Sequence, residues 1–301
     1  MGFVVAASVG AGIYFLPAIE VAIHDTGQRI ANAGSGPRSN APFTMLLLGS
    51  DSDAKFKNTY LTQSMILARV DPTTKHVTML SIPRDLWVQD CHGGYGKIDQ
   101  AYENGGASCS IQTVEQDFHV HVDYYAWIGL QGLVTVIDSL GGEDVVASNP
   151  VMDDYYPADV GTDPSNAYAY QRILVLPGPQ HMSGVTALQY VRARHDDVNG
   201  DFGRSIRQQQ VLIALRSKAK QVSVSDIPNI ASAMASYFQT SMSLTDMAGL
   251  LPVAGSIPLS SITQVVLLSP YTTGQWYGNQ DALAPNWSLI LPKVHQYFPA
   301  T

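Results

Sequence analysis

Between Tyr190 and Gln210 the chain reads YVRARHDDVNGDFGRSIRQQQ, which places Arg192, Arg194, Arg204 and Arg207 close together. They are four of ten arginines in a protein of formal net charge −8. A guanidinium stays protonated at any accessible pH and presents forked donors that match phosphate oxygens. Several of them converging against the global sign point to a bound phosphate or pyrophosphate. The competing reading is structural, with the arginines paired to Asp196, Asp197 and Asp201. Helical signal runs from about Ser205 through Lys220, with Arg204, Gln208, Val211 and Leu215 on one face and Arg207 beside it. The first turn of a helix carries unpaired amide donors and the positive dipole end, so arginines there cost stability unless an anion is bound. Farther along, Val211, Leu212 and Leu215 offer an apolar surface to a tail attached to that phosphate; core packing is their other reading. Arg192 and Arg194, two apart, point the same way if the backbone is extended.

Other charged candidates follow from the strands that must carry them. Phe43 to Leu48 is a continuous apolar run of the kind buried on both faces, which puts Asp51 just past a strand end. Ser64 to Val70 and His76 to Ile82 are two further strands, and the DPTTK link between them suits an antiparallel hairpin. Pro83 lacks a backbone donor and stops the second of these, leaving Arg84 and Asp85 at its exit. Open α/β sheets bind ligands outside the carboxyl ends of their strands, so Asp51 and Arg84 are candidates for one crevice. Lys97, in a helix-sized segment between two glycine pairs, either adds charge there or is an ordinary surface lysine.

The remaining elements alternate. Ser110 to Phe118 predicts a helix, Tyr124 to Ile128 a strand, Leu130 to Leu140 a helix, and Gly184 to Tyr190 a helix; this alternation implies an α/β sandwich. His119 and His121 fall on one face if that segment is a strand, without further ligands at zinc spacing. Pro150 to Tyr170 reads as a long irregular loop. Helices over Asp226 to Phe238 and Leu244 to Ala254, a strand over Thr263 to Leu268, and a tail without evident chemistry complete the chain.

At 301 residues with a hydrophobic fraction of 46%, the chain can bury a sizeable core. A pI near 5.3 argues against nucleic acid, whose binders carry a broad basic face. Residues 3 to 19 form an uncharged apolar run that fits an N-terminal membrane anchor within residues 1–30, possessing no basic flank to orient it; a buried core helix is the alternative. Residues 31–42 follow as a small, polar, Gly- and Pro-containing linker, and residues 43–301 as the folded domain. Cys91 and Cys109 bracket a glycine-rich loop, either bridged or free.

GSD at 49 to 51, MLSIPRDLWV at 79 to 88, KIDQAY at 97 to 102, LPGPQHMSGVTALQYVRARH at 176 to 195 and GDFGRSIRQQQVL at 200 to 212 together resemble the signature blocks of the LytR-CpsA-Psr family. The resemblance implies an α/β fold, a three-layer α/β/α sandwich around a mixed central sheet, preceded by a membrane-anchor helix. It implies a single-pass cell-membrane protein whose extracytoplasmic domain is a phosphotransferase. Such an enzyme moves a glycopolymer from a polyprenyl-pyrophosphate carrier to peptidoglycan through a phosphodiester. By motif position, Arg84, Arg192 or Arg194, Arg204 and Arg207 are implied at the pyrophosphate with Gln208 nearby, and Asp51, Arg84, Asp85 and Arg204 at the reacting centre; Lys97 joins the anion site on its loop position alone. Val211, Leu212 and Leu215 are implied in the lipid pocket. Asp51 is the implied magnesium ligand; where many members have a second aspartate, Gln63 stands, a neutral oxygen in place of an anionic one. That loss keeps two other readings in view: a non-catalytic polyprenyl-phosphate-binding or regulatory envelope protein, and a lipid-pyrophosphate pyrophosphatase.

Overall fold

The structure, a computed structural model, describes residues 41–50, 61–158, 169–193, 200–219, 237–242 and 256–301. The expected anchor, most of the linker, Asp51, Arg194 and the expected helices after Lys220 lie outside these residues. No helix among the described residues is long and apolar enough to cross a membrane.

A six-stranded mixed sheet forms the centre. β1 (Phe43–Ser50), β2 (Thr62–Asp71) and β3 (His76–Ile82) run antiparallel to one another. On one side β6 (Tyr124–Gly129) joins parallel to β1, and β11 (Phe238–Thr240) antiparallel to β6. At the other edge β12 (Ile262–Val266) lies parallel to β3. The apolar run of β1 is buried along almost its whole length, as its lack of alternation requires.

Helices pack on both faces. One core cluster joins Leu46, Leu67 and Leu80 of the sheet to α1 (Ala101–Phe118) and α5 (Trp287–His295). The other joins α2 (Leu130–Ser139), α3 (Gly184–Arg192) and α4 (Gly200–Ala219) to small antiparallel ribbons. These ribbons are β7 (Glu143–Ala147) with β10 (Gly178–Met182), and β8 (Val151–Pro157) with β9 (Tyr170–Val175). A Cβ on Gly184 would sit 2.3 Å from the Val134 carbonyl oxygen, so only glycine lets α3 approach α2 this closely. Two further ribbons, β4 (Trp87–Gln89) with β5 (Tyr95–Lys97) and β13 (Thr272–Tyr277) with β14 (Gln280–Pro285), flank the sheet.

Several local expectations are corrected. The segment 150–170 is a loop only in part, because residues 151–157 and 170–175 pair as strands whose inward Val151, Tyr156, Ile173 and Val175 are buried. His119 is not in a strand but caps α1 in a left-handed conformation. Arg192 is the last residue of α3, so it is helical rather than extended. The segment after Gly93 is not one helix: it holds β5, a short 3-10 turn and the start of α1, which breaks helical geometry at Gly105 and Gly106. The tail, for which the sequence gives no structural expectation, forms a ribbon and a helix.

Cys91 and Cys109 are bridged, tying the turn of the β4–β5 ribbon to α1. Closing a loop of this length restricts the unfolded chain, so reduction is expected to lower stability by about 3 kcal/mol, read from denaturant titrations with and without reductant. A second expectation concerns Glu143, which is fully buried with no hydrogen-bond partner for either carboxyl oxygen among the described residues. Burial, reinforced by the neighbouring Asp144 charge, pushes its pKa from 4.5 up to about 8. In the unfolded chain this group ionises near its ordinary value, so the folded state keeps a proton that the unfolded state loses. Stability therefore falls as pH rises from about 5 to about 8. Glu143→Gln should flatten that slope in melting temperatures measured across the window.

Candidate active site

Strand direction assembles the site before any side chain contributes. β2 is antiparallel to β1 and β3, so its first residues lie beside the last residues of both: Gly49 pairs with Ser64, and Met65 with Ile82. Gln63, Ser64 and Arg84 thus meet at one end of the sheet, as the crevice argument requires. Beyond Pro83 the chain turns, with the Leu86 amide donating to the Pro83 carbonyl at 3.1 Å. The Asp99 amide donates to the Arg84 carbonyl at 3.1 Å and the Leu283 amide to the Asp85 carbonyl at 2.8 Å. Leu283 belongs to β14, so the tail that showed no chemistry in sequence holds the Arg84–Asp85 backbone from behind.

A polar cleft of about 380 Å³, open mouth included, is lined by Gln63, Ser64, Ser81, Arg84, Asp85, Arg204 and Gln208 among others. Arg204 is 9% exposed. Arg84 donates through Nη1 to the Gln63 Oε1, and its Nε lies 3.3 Å from the Asp85 carboxylate. That Nε is buried and makes no hydrogen bond with the described residues. Lys97, directly opposite Trp87 across the β4–β5 ribbon, donates to Asp85 at 2.8 Å. Its charge reaches the cleft through Asp85 instead of lining it.

Against the same sheet end lies an apolar pocket of about 950 Å³, open mouth included. Leu47, Ile66, Ala126 and Ile128 form its floor, Leu130, Leu133 and Val136 of α2 one wall, and Leu188 and Val191 of α3 another. Val211, Leu212 and Leu215 of α4 line it as well, with Val211 and Leu215 also in the core cluster. Gln63, Ser64 and Gln208 line both cavities, so the cleft and the pocket adjoin across these three side chains.

α4 forms the border between the two, and three consecutive glutamines fix it. Gln208 accepts from the Ser64 hydroxyl of β2 at 2.9 Å. Gln209 donates to the Ser81 hydroxyl of β3 at 2.7 Å, and Gln210 accepts from the Tyr190 hydroxyl of α3 at 2.7 Å. Successive helical positions point about 100° apart, so a QQQ run reaches three different neighbours. Of these only Gln208 stands out in sequence; Gln209 and Gln210 are visible as polar residues on a buried helix but not as ties.

The expected anion residues divide. Arg84, Arg204 and Gln208 converge on the cleft. Arg192 lines the apolar pocket near its rim and donates to the Tyr156 hydroxyl at 3.3 Å. Arg207, 4% exposed, turns toward α3: it donates to the Ala193 carbonyl at 2.7 Å and stacks on the Tyr190 ring. It therefore clamps the end of α3, and the cleft lining does not include it. Asp51 and Arg194, and the side chain of Asp201, fall outside the described residues. The pocket walls contributed by α2 and α3 are absent from the sequence-derived site; the unusually apolar run of α2 is the signal that could have shown them.

Among the described donors a magnesium ion does not fit. Such an ion takes hard, mostly anionic oxygens. Gln63 offers a neutral oxygen already engaged by the Arg84 cation, and Asp85 is engaged by Lys97 and Arg84.

Comparison with known proteins matches this arrangement to one family. The sequence model of the LytR_cpsA_psr family matches residues 18–286. The chain is 34% identical over 209 residues to the Bacillus subtilis polyisoprenyl-teichoic acid–peptidoglycan teichoic acid transferase TagV, covering 68% of this chain and 51% of that protein. It is 30% identical over 253 residues to biofilm regulatory protein A of Streptococcus mutans, covering 79% of this chain and 60% of that protein. The chain thus spans about half to three-fifths of the length of these curated relatives. The crystal structure of B. subtilis TagV superposes with a TM-score of 0.68 at 26% identity, over 87% of this chain and 99% of that one. The Lin1025 protein of Listeria innocua superposes with a TM-score of 0.63 at 30% identity, over 85% and 96%. With the family's match running through nearly all of the described fold, the chain belongs to the LytR_cpsA_psr family.

Proposed function

We propose that this protein transfers a glycopolymer, with one phosphate, from a polyprenyl-pyrophosphate carrier to peptidoglycan. The adjacency of the arginine cleft and the apolar pocket, which share Gln63, Ser64 and Gln208 as lining, is the observation that carries this reading. A lipid pyrophosphate needs both environments side by side, an apolar slot for the isoprenoid and fixed cations for the head group. The name of the relative TagV, a polyisoprenyl-teichoic acid–peptidoglycan teichoic acid transferase, supports the same substrate class.

In this reading Arg84 and Arg204, both lining the cleft, hold the pyrophosphate oxygens. An acceptor hydroxyl oxygen attacks the phosphorus bonded to the sugar, the bond from that phosphorus to the bridging oxygen breaks, the hydroxyl proton passes to the departing phosphate, and polyprenyl phosphate leaves. Charge developing on the leaving phosphate is met by guanidinium groups already in place. Lys97 holds the Asp85 carboxylate in place beside Arg84. Magnesium enters this proposal at Asp51, while the Gln63 oxygen stays with Arg84. Residues 43–301 make one extracytoplasmic domain of three layers behind a single-pass anchor in residues 1–30, at the cell membrane.

Incubating the full chain with a lipid-pyrophosphate saccharide and a peptidoglycan acceptor tests the reading. Covalent polymer on the acceptor upholds it; free sugar phosphate would make the protein a pyrophosphatase, and lipid retention without product a carrier-binding protein. Arg204→Ala should lower transfer by about 10²-fold or more with circular dichroism unchanged. An unimpaired variant would remove Arg204 from the site. Gln63→Asp should bind Mg2+ about tenfold more tightly than the native chain in calorimetric titration, since it restores an anionic oxygen. An unchanged affinity would place the ion away from position 63.

A further inference from the structure

A group transfer needs two binding sites at one reacting centre, and the apolar pocket serves the donor alone. A second cavity, of about 450 Å³ with its open mouth included, lies between the β4–β5 ribbon and the first turn of α1. Tyr95, Lys97, Gln100 and Asn104 are among its lining residues. Lys97 holds the Asp85 carboxylate at 2.8 Å, and Asp85 lines the arginine cleft, so one ion pair joins the walls of the two. Among the described residues none lines both this cavity and the apolar pocket. The cleft therefore meets the pocket across Gln63, Ser64 and Gln208, and the cavity across Asp85 and Lys97.

The chemistry of the lining suits a neutral polar ligand. Asp90 also lines the cavity, but its carboxylate is engaged: Oδ1 accepts from the His92 and Gly94 amides at 2.9 Å each, and Oδ2 from the Asn104 side-chain amide at 2.6 Å. The charge of Lys97 is met by Asp85. Gln100 reaches over the ribbon, since a Cβ on Gly96 would lie 2.5 Å from its Oε1; the missing side chain at 96 gives that amide its place. Tyr95 is 68% exposed, whereas Trp87 on the same ribbon stacks on Tyr277 with ring centroids 4.4 Å apart. Side-chain amides that donate and accept, beside an aromatic face with a polar tip, match a sugar, which carries hydroxyls at its edge and an apolar C–H face. The site is built in advance, because the bonds to Asp90 and the Cys91–Cys109 bridge fix the turn that closes it.

We propose that this cavity binds a sugar of the peptidoglycan acceptor, with its ring on Tyr95, its polar substituents on Gln100 and Asn104, and a hydroxyl presented to the cleft beside the Lys97–Asp85 pair; that the sugar belongs to the acceptor rests on the proposed function. Tyr95 and Lys97, two apart in β5, share one face of the ribbon and stand about 7 Å apart along the strand, a separation that one hexose with its substituents spans. Donor and acceptor thereby reach the phosphate from different walls, and neither has to displace the other.

The test titrates the full chain calorimetrically with a lipid-free tetrasaccharide of alternating N-acetylglucosamine and N-acetylmuramic acid. The native chain should bind it saturably. Tyr95→Ala and Gln100→Ala should each weaken binding by about fivefold or more at an unchanged melting temperature, the scale of one lost ring contact or hydrogen bond. Tyr170→Ala, which removes an equally open tyrosine from the β8–β9 ribbon, should bind as the native chain does. No binding by the native chain, native affinity in either cavity variant, or an equal loss in Tyr170→Ala would overturn the assignment. In transfer assays the two cavity variants should raise KM for the acceptor by the same factor and leave KM for the lipid donor unchanged. A rise for the donor instead would give the cavity to the sugars of the glycopolymer and overturn the assignment as well. A native chain that binds the tetrasaccharide through Tyr95 yet transfers nothing would sink the proposed function alone, and transfer without tetrasaccharide binding would sink the cavity alone.

Discussion

A charged cleft and an apolar pocket have to share a wall in this protein, and such walls are physically awkward. Guanidinium groups lose hydration when buried, while an apolar slot loses its purpose if water enters it. The border here consists of neutral polar side chains: the Gln63 oxygen accepts from Arg84, and Ser64 and Gln208 satisfy one another at 2.9 Å. Neutral amides and hydroxyls can face cations on one side and hydrocarbon on the other with less desolvation than a carboxylate would suffer. This gives Gln63 a structural meaning beyond the loss of a metal ligand: it is an oxygen that orients Arg84 without neutralising it.

Everything around that border keeps α4 at a fixed height over the sheet. Gln208, Gln209 and Gln210 tie it to β2, β3 and α3, and Arg207 clamps the end of α3 through the Ala193 carbonyl. Buried polar ties of this kind contribute modestly to stability but strongly to position, because each lost partner leaves an unsatisfied group. Rigidity at α4 therefore sets the aim of Arg204 and the width of the pocket together. The glycine contact of α3 on α2 and the bridged β4–β5 ribbon do the same for the far wall and for Lys97.

Much of the architecture was legible because burial leaves a periodic trace. The apolar run of β1, the two strand-like segments after it, the stop at Pro83 and the alternation of strand and helix determined an α/β sheet with Arg84 and Asp85 at a strand exit, and the family blocks determined the chemistry to look for. Local patterns misled where tertiary contacts outweighed them. The β8–β9 strands looked like loop because their Asp, Tyr and Pro content masks inward Val151, Tyr156, Ile173 and Val175, and the tail looked inert because its contribution is a backbone amide.

The sequence by itself determined that four arginines gather on one stretch, since charge and spacing are local properties. Only the tertiary structure decided how they divide, because direction depends on neighbours far along the chain. Arg204 lines the cleft, Arg192 meets Tyr156 at the pocket rim, and Arg207 is drawn to a carbonyl and a ring on α3. The pocket follows the same logic. Val211, Leu212 and Leu215 read equally well as core in one dimension, and they face a cavity because α2, α3 and α4 are held apart over the sheet.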